Sequence, residues 1–141
     1  MSDPYHLDRF VEAQQPVYAR VFDELQAGHK RSHWMWFVFP QLQGLGHSEM
    51  AARYAISGLD EARAYLAHDI LGPRLKRCVT ALLQHTDKSA RQIMGTPDDL
   101  KLRSCLTLFD KADPDEALWQ LALMHFFDGV PDAATLGRLE R

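Results

Sequence analysis

The sequence predicts an all-α protein, a single compact domain of about seven to nine short helices over residues 1–141. Proline placement is the clearest indication, because five of the seven prolines each precede a stretch in which apolar residues recur three and four apart. Proline is tolerated at the first helical position, where the missing amide has no intrahelical partner. No stretch shows the sustained alternation of apolar and polar residues that predicts a strand. The five prolines are Pro16, Pro73, Pro97, Pro114 and Pro131.

The first half of the chain divides into five predicted helices. Residues 4–14 and 16–27 each place apolar side chains on one face, and Gly28 is placed to end the second helix in a left-handed turn. Ser32 is predicted to cap a short helix through Phe39, although its run of six apolar residues also fits a buried strand. Ser48 is predicted to cap a helix through about residue 57, and Asp60 a helix through residue 67.

The second half predicts five more helical stretches. Gly72 and Pro73 open a long one, whose apolar stripe consists of Leu75, Cys78, Val79, Leu82 and Leu83. Residues 89–94 form a short amphipathic turn, and residues 97–109 form the next helix. The sequence Asp113-Pro114-Asp115-Glu116 combines a cap residue, a first-turn proline and an acid, so a helix should follow it. The last helix is expected after Pro131.

Composition excludes several functional classes. The chain is 46% hydrophobic and therefore able to bury a core, and its net charge of −3 offers no polybasic surface for generic nucleic-acid binding. Cys78 and Cys105 fit no metal-binding spacing and predict buried thiols in a reducing compartment. The sequence shows neither a signal peptide nor an apolar run of about 18 residues, so it predicts a cytoplasmic protein with no membrane span. The expected oligomeric state is a monomer or a homodimer.

Residues 29–48, which we call the aromatic–basic segment, concentrate the chemistry of the chain. The segment holds two of the three tryptophans beside a cationic cluster of Lys30, Arg31 and His33. Cations next to aromatic faces can bind a phosphate while a planar ring stacks on an indole. Positive charge also stabilises a helix C-terminus for purely structural reasons, so both interpretations stay open.

The remaining candidates in this segment are aromatic or amide side chains. Trp34 and Trp36 lie two residues apart, so a helix directs them to different sides and at least one belongs to the core. Gln41 could read an amide or a ribose hydroxyl, or it could cap a backbone group. Residues 44–48, Gly-Leu-Gly-His-Ser, could cradle a phosphate at a helix N-terminus, but no strand or Walker lysine precedes them and a plain turn fits better.

Two further regions carry candidate side chains. Lys101 and Ser104, or Ser104 and Thr107, share a helical face and could line a polar pocket, although such hydroxyls also bond to carbonyls one turn earlier. Glu12 is the acid expected nearest to the aromatic–basic segment, and it is the candidate acid or base. The pair of histidines four apart in that segment has no adjacent acidic ligand, so the sequence predicts neither a metal site nor a cofactor.

Several stretches together carry a family resemblance. They are Arg9-Phe10-Val11-Glu12-Ala13-Gln14, Gly28, Lys30, Ser32-His33-Trp34-Met35-Trp36-Phe37, Phe39-Pro40-Gln41, Gly44-Leu45-Gly46, Tyr65-Leu66, Leu71-Gly72, Lys101-Leu102 and Thr107-Leu108-Phe109. They closely resemble the bacterial family labelled domain of unknown function 1810, sometimes called calpastatin-like, over nearly the whole chain. The resemblance implies a mainly helical fold and no established activity. Cys105 stands where the family usually has a second serine, so no essential hydroxyl is expected there.

A more distant likeness, in size and helical build, is to the NADAR proteins, which hydrolyse N-glycosidic bonds of ADP-ribose-type substrates. This likeness implies no catalytic residue. It does suggest a hypothesis: the chain binds a small anionic or nucleotide-like molecule of the ADP-ribose or NAD type beside the aromatic–basic segment, and hydrolysis of an N-glycosidic bond is an open extension of it. The alternative is a non-enzymatic protein interaction module, with that segment structural and an exposed apolar patch around Trp119 and Phe127.

Overall fold

The computed structural model describes residues 3–140, and these residues form ten α-helices. The helices are α1 (Asp8–Gln14), α2 (Tyr18–Ala27), α3 (Met35–Val38), α4 (Glu49–Arg53), α5 (Leu59–Ala67), α6 (Leu71–Leu83), α7 (Ala90–Met94), α8 (Asp98–Ala112), α9 (Ala117–Phe127) and α10 (Ala133–Leu139). The all-α prediction is confirmed. The helix count of ten exceeds the predicted seven to nine, and each helical stretch named from the sequence has a counterpart among these ten helices.

Helix α8 lies at the centre of the fold. It packs against α5, α7, α9 and α10, while α6 packs against α2, α5 and α9. Because neighbours surround α8, apolar residues are buried on most of its circumference instead of on a single stripe. Its buried apolar residues are Leu102, Cys105, Leu106, Leu108, Phe109 and Ala112.

A chain of aromatic rings runs through the core. Successive ring centroids are 5.2–5.7 Å apart, in tilted or edge-on arrangements that favour the quadrupoles of the rings. The rings belong, in order, to Trp119, Phe109, Tyr65, Phe10, Tyr54 and Phe37. The fully buried Trp119 cannot form the exposed patch predicted around it, so that prediction is wrong for this residue.

Several predicted helix ends are confirmed. Gly28 ends α2 in the left-handed conformation, with φ of 71°, and its amide donates to carbonyl groups of the last helical turn. The Ser48 hydroxyl caps α4 by accepting a hydrogen bond of 3.0 Å from the Ala51 amide. Ser89 and Gln92 form a reciprocal capping box at the start of α7.

Three predicted caps are wrong. The Ser32 hydroxyl donates to Glu24 of α2, and α3 begins three residues later. Asp60 lies within the first turn of α5 instead of at its cap. Helix α9 is capped by Glu116 and not by Asp113. Sequence spacing identified a polar residue near each helix start, but tertiary partners or a shifted first turn decided which group satisfies the free amides.

Candidate functional site

Glu24 holds the loop between α2 and α3 in place. Its Oε1 accepts hydrogen bonds from the amides of Arg31 (2.8 Å) and Ser32 (3.0 Å) and from the indole N–H of Trp34 (3.0 Å). Its Oε2 accepts one from the Ser32 hydroxyl. Burial would raise the pKa of this carboxyl group, but these hydrogen bonds outweigh burial and lower the pKa from 4.5 to about 2. Sequence analysis missed this anchor, because its partners lie seven to ten residues later in a separate loop.

Lys30 is committed to contacts within the protein. Its Nζ forms an ion pair of 2.8 Å with Asp98, donates to the Ser32 carbonyl oxygen at 2.7 Å and lies 4.9 Å from the centroid of the Trp34 ring. The side chain is only 7% exposed. Lys30 therefore joins the aromatic–basic segment to the start of α8, and its ammonium group does not face an open site.

The two tryptophans of the segment point to different environments. Trp34 is fully buried, with its indole on Glu24 and its ring packed against Phe39 at a centroid distance of 6.1 Å. Trp36 is half-buried and lines a cavity, and Lys101 Nζ lies 5.7 Å from its ring centroid. The expectation that at least one of the two belongs to the core is confirmed by Trp34, which leaves Trp36 as the ring that a ligand can reach.

A cavity of about 220 Å³, which we call the aromatic cavity, brings three predicted site residues together. Trp36 comes from α3, Gln41 from the following loop and Lys101 from α8. The other lining residues are Met35, Phe39, Leu42, Gly46, His47, Ser48, Ala51 and Tyr54. Most of the wall is apolar, and Lys101, Gln41, His47 and Ser48 supply polar groups. A planar ring with a polar edge matches such a lining.

Backbone contacts fix the loop that forms one wall of the aromatic cavity. Leu42 and Ile56 pair as an isolated parallel bridge, with the Gln43 amide donating to the Ile56 carbonyl oxygen at 2.8 Å. Arg138 Nε donates to the Gln43 carbonyl oxygen, also at 2.8 Å. Gly44 has φ of 95°, and the Arg138 guanidinium group occupies the space that a Cβ would need. These contacts hold residues 41–48 in place beside the aromatic cavity.

A second cavity of about 340 Å³ adjoins the first and shares Gln41, Gly46 and Lys101 with it. We call it the adjacent cavity. Arg103 and Asp132 also line it, and Arg103 Nε donates to the Val130 carbonyl oxygen at 2.8 Å. Sequence analysis missed Arg103 and Asp132, although Arg103 lies within the stretch that it singled out.

The hydroxyl groups predicted beside Lys101 serve mainly the fold. Ser104 Oγ donates to the Leu100 carbonyl oxygen at 3.2 Å and lies 3.1 Å from Asp132 Oδ2. Thr107 Oγ1 donates to the carbonyl oxygen four residues earlier and accepts from the Asp132 amide at 2.9 Å. Both therefore position the N-terminus of α10. Ser104 still lines the adjacent cavity, whereas Thr107 lines neither cavity.

Asp98 lies between Lys30 of the aromatic–basic segment and Lys101 of the aromatic cavity. Its Oδ2 binds Lys30 at 2.8 Å, while its Oδ1 is 3.7 Å from Lys101 Nζ. The second distance is longer than a hydrogen bond. Lys101 therefore keeps donors available for an anion, in contrast to Lys30.

Three other predicted site residues lie outside the cavities. Arg31 and His33 are exposed on the loop that Glu24 anchors, and neither lines the aromatic or the adjacent cavity. Glu12 is exposed on α1 and likewise lines neither cavity. The sequence places Arg31 and His33 within the aromatic–basic segment and predicted Glu12 beside it, but it could not show which way the three side chains face.

Both cysteines of the chain are free thiols and lie buried in the core. Burial raises the pKa of Cys78 to about 12 and raises that of Cys105 well above its ordinary value, in agreement with the expected buried thiols. Within residues 3–140, no three His, Cys, Asp or Glu side chains are grouped so that they could hold a metal ion. None of the helices described here has the length and apolar character needed to cross a membrane.

Comparison with known proteins identifies the family. The crystal structure of the conserved hypothetical protein Rv1873 from Mycobacterium tuberculosis matches with a TM-score of 0.97 and 51% sequence identity, covering 99% of each chain. The search of curated proteins gives no match. The family model described as a protein of unknown function, DUF1810, matches residues 4–139. This chain therefore belongs to the DUF1810 family, as the residues shared with that family predicted.

Proposed function

We propose that this protein binds a small anionic, nucleotide-like ligand of the ADP-ribose or NAD type in the two adjoining cavities. The observation that carries the proposal is the convergence of Trp36 and Gln41, from the aromatic–basic segment, with Lys101, from α8, on one cavity. An indole face, an amide and an ammonium group are the groups that would stack a ring, read its polar edge and bind an anion.

The sizes of the cavities suggest how such a ligand would lie. The aromatic cavity, at about 220 Å³, is smaller than the roughly 300–1,000 Å³ of typical ligand sites, so it would accept a ring alone. The adjacent cavity of about 340 Å³ would hold the anionic part, near Lys101 and Arg103. Lys101 lines both cavities, so it would contact the junction between ring and phosphate.

Hydrolysis of an N-glycosidic bond needs a group that can transfer a proton. Glu12 does not supply one in this arrangement, because it lines neither cavity. Asp132 is engaged with Ser104 and with the amide and hydroxyl of Thr135. Within the proposal, turnover would therefore depend on His47 of the aromatic cavity, and His47→Gln would abolish it while leaving binding in place.

A thermal-shift screen against nucleotides, NAD, ADP-ribose and phosphorylated sugars tests binding. A ligand at about 100 times its Kd stabilises by roughly 2.7 kcal/mol, which for a chain of 141 residues raises the Tm by roughly 9 °C. Lys101→Ala should remove most of this shift. Lys111→Ala is the matched control, because it removes an exposed lysine from the same helix. Equal shifts in both variants, or no shift in the wild type, would contradict the proposal.

The alternative, a protein interaction module, is favoured by one feature of α9. This helix is largely apolar, and Leu121 and Met124 are 56% and 60% exposed on it, although Trp119 is buried. A concentration-dependent increase in sedimentation coefficient that Leu121→Glu abolishes would support the alternative. A monomeric wild type that binds a nucleotide would contradict it.

A further inference from the structure

A groove between α2 and α6 lies apart from both cavities and shares no lining residue with them. Its volume is about 480 Å³. Phe22 and Ala81 form its apolar floor, and Lys76, Thr80 and Gln84 form one edge, at successive helical turns. Since residues 76–84 span eight helical rises, this edge is about 12 Å long, which corresponds to roughly two helical turns.

The α6 side of this α2–α6 groove is positively charged. Helix α6 carries Arg74, Lys76 and Arg77 and no acidic residue, in a chain whose net charge is −3. The Arg77 guanidinium carbon lies 4.9 Å from the centroid of the Phe22 ring, and Arg77 forms no ion pair within residues 3–140. The groove therefore combines an apolar floor with a cation that forms no ion pair within the described residues.

The other two cations of α6 are partly engaged. Arg74 donates to Gln15 at 2.9 Å and lies over the Tyr18 ring at 4.5 Å, beside the groove. Lys76 forms an ion pair of 3.3 Å with Glu116, and both side chains are at least one-third exposed. An exposed pair of this kind is weak, so Lys76 can exchange its partner for another carboxylate.

From these features we propose that the α2–α6 groove binds an acidic amphipathic helix of a partner protein. Two apolar side chains of the partner, three or four residues apart, pack on Phe22 and Ala81, as in helix-in-groove recognition. Carboxylates beside them pair with Arg77 and Lys76, which provides the charge complementarity that orients the partner. Nucleic acid fits less well, because a phosphate backbone would meet an apolar floor and few cations.

Selection from a display library of helical peptides tests this proposal on the full chain. Peptides of about 16 residues are long enough to hold a helix when bound. Binders should be enriched in Asp and Glu next to apolar residues three or four apart. Arg77→Glu should weaken the selected peptides by about tenfold or more, because it places like charges opposite each other. Thr80→Trp, which fills the groove without changing its charge, should weaken them similarly.

Arg91→Glu is the matched control, since it makes the same charge change at an exposed site on α7. Affinity for this variant should stay within about twofold of the wild type. Circular dichroism must show that all three variants are folded. Enrichment of neutral or basic peptides, or the absence of any enriched sequence, would overturn the proposal. An equal loss in Arg77→Glu and Arg91→Glu would also overturn it, as would an oligonucleotide that binds this groove in place of peptides.

Discussion

Replacing Glu24 by glutamine tests whether a buried charge holds the aromatic–basic segment. The pKa of Glu24 is 4.5 without the fold and about 2 within it. Because one pKa unit corresponds to about 1.4 kcal/mol, ionised Glu24 contributes about 3 kcal/mol to the free energy of unfolding at neutral pH. Glutamine keeps the size and one carbonyl oxygen for the Arg31, Ser32 and Trp34 donors, but it removes the charge that strengthens these bonds.

The pH dependence gives this prediction its specificity. A carboxyl group whose pKa is lowered on folding contributes fully above the unfolded value of 4.5, and the contribution is lost as pH falls through about 2. The destabilisation of Glu24→Gln relative to the wild type should therefore be about 3 kcal/mol near pH 7 and about half of that near pH 3. Urea unfolding, followed by circular dichroism at both pH values, measures the difference.

The matched control is Asp23→Asn, because Asp23 is the exposed neighbour of Glu24 on the same helix. We expect it to change the free energy of unfolding by no more than about 0.5 kcal/mol at either pH. A Glu24→Gln effect below about 1 kcal/mol, or one of the same size at both pH values, would refute the anchoring role derived for the carboxylate.

Three other predictions concern Lys30, two glycines and the two cysteines. Lys30→Met should lower the free energy of unfolding by about 1–2 kcal/mol, because it breaks the ion pair with Asp98 and the cation–π contact with Trp34. Urea unfolding measures this, and an unchanged midpoint would contradict it. Gly44→Ala should lower stability by about 1–2 kcal/mol in thermal melts, because alanine is strained at φ of 95°, whereas Gly137→Ala, in the open on a helix, should raise it by about 0.5–1 kcal/mol. Cys78 and Cys105 should resist thiol reagents near pH 8 until urea unfolds the chain, because burial keeps both thiols protonated, and rapid labelling of the folded protein would contradict this.

Local signals were sufficient to predict the helices and several of their ends. Proline positions, the 3.6-residue periodicity and cap residues act over one or two turns, so the chain itself contains the information for the Gly28 and Ser48 ends. The different environments of Trp34 and Trp36 were predicted from helical spacing, but Trp34 precedes α3 and its indole is held by Glu24 of α2. What failed at Ser32 was the assumption that a hydroxyl just before an apolar run serves the next helix.

Long-range partners decided the site. Lys30 looked like a phosphate-binding residue in sequence, yet its ion-pair partner Asp98 lies in a helix that begins 68 residues later. Lys101 was predicted as a site residue because Ser104 shares its helical face. In the structure the Ser104 hydroxyl faces Asp132, and Lys101 lies beside Trp36. Sequence spacing gives the face of a helix, but it does not say which other element covers that face.

The basic residue Lys30 can still influence the cavities without touching a ligand. It holds Oδ2 of Asp98 at 2.8 Å, and this contact leaves the other carboxylate oxygen 3.7 Å from Lys101. If Lys30 did not hold it, the Asp98 carboxylate could pair closely with Lys101 and compete with an incoming anion. In our proposal Lys30 therefore acts as a positioning residue, because it occupies the acid that would otherwise neutralise the binding cation.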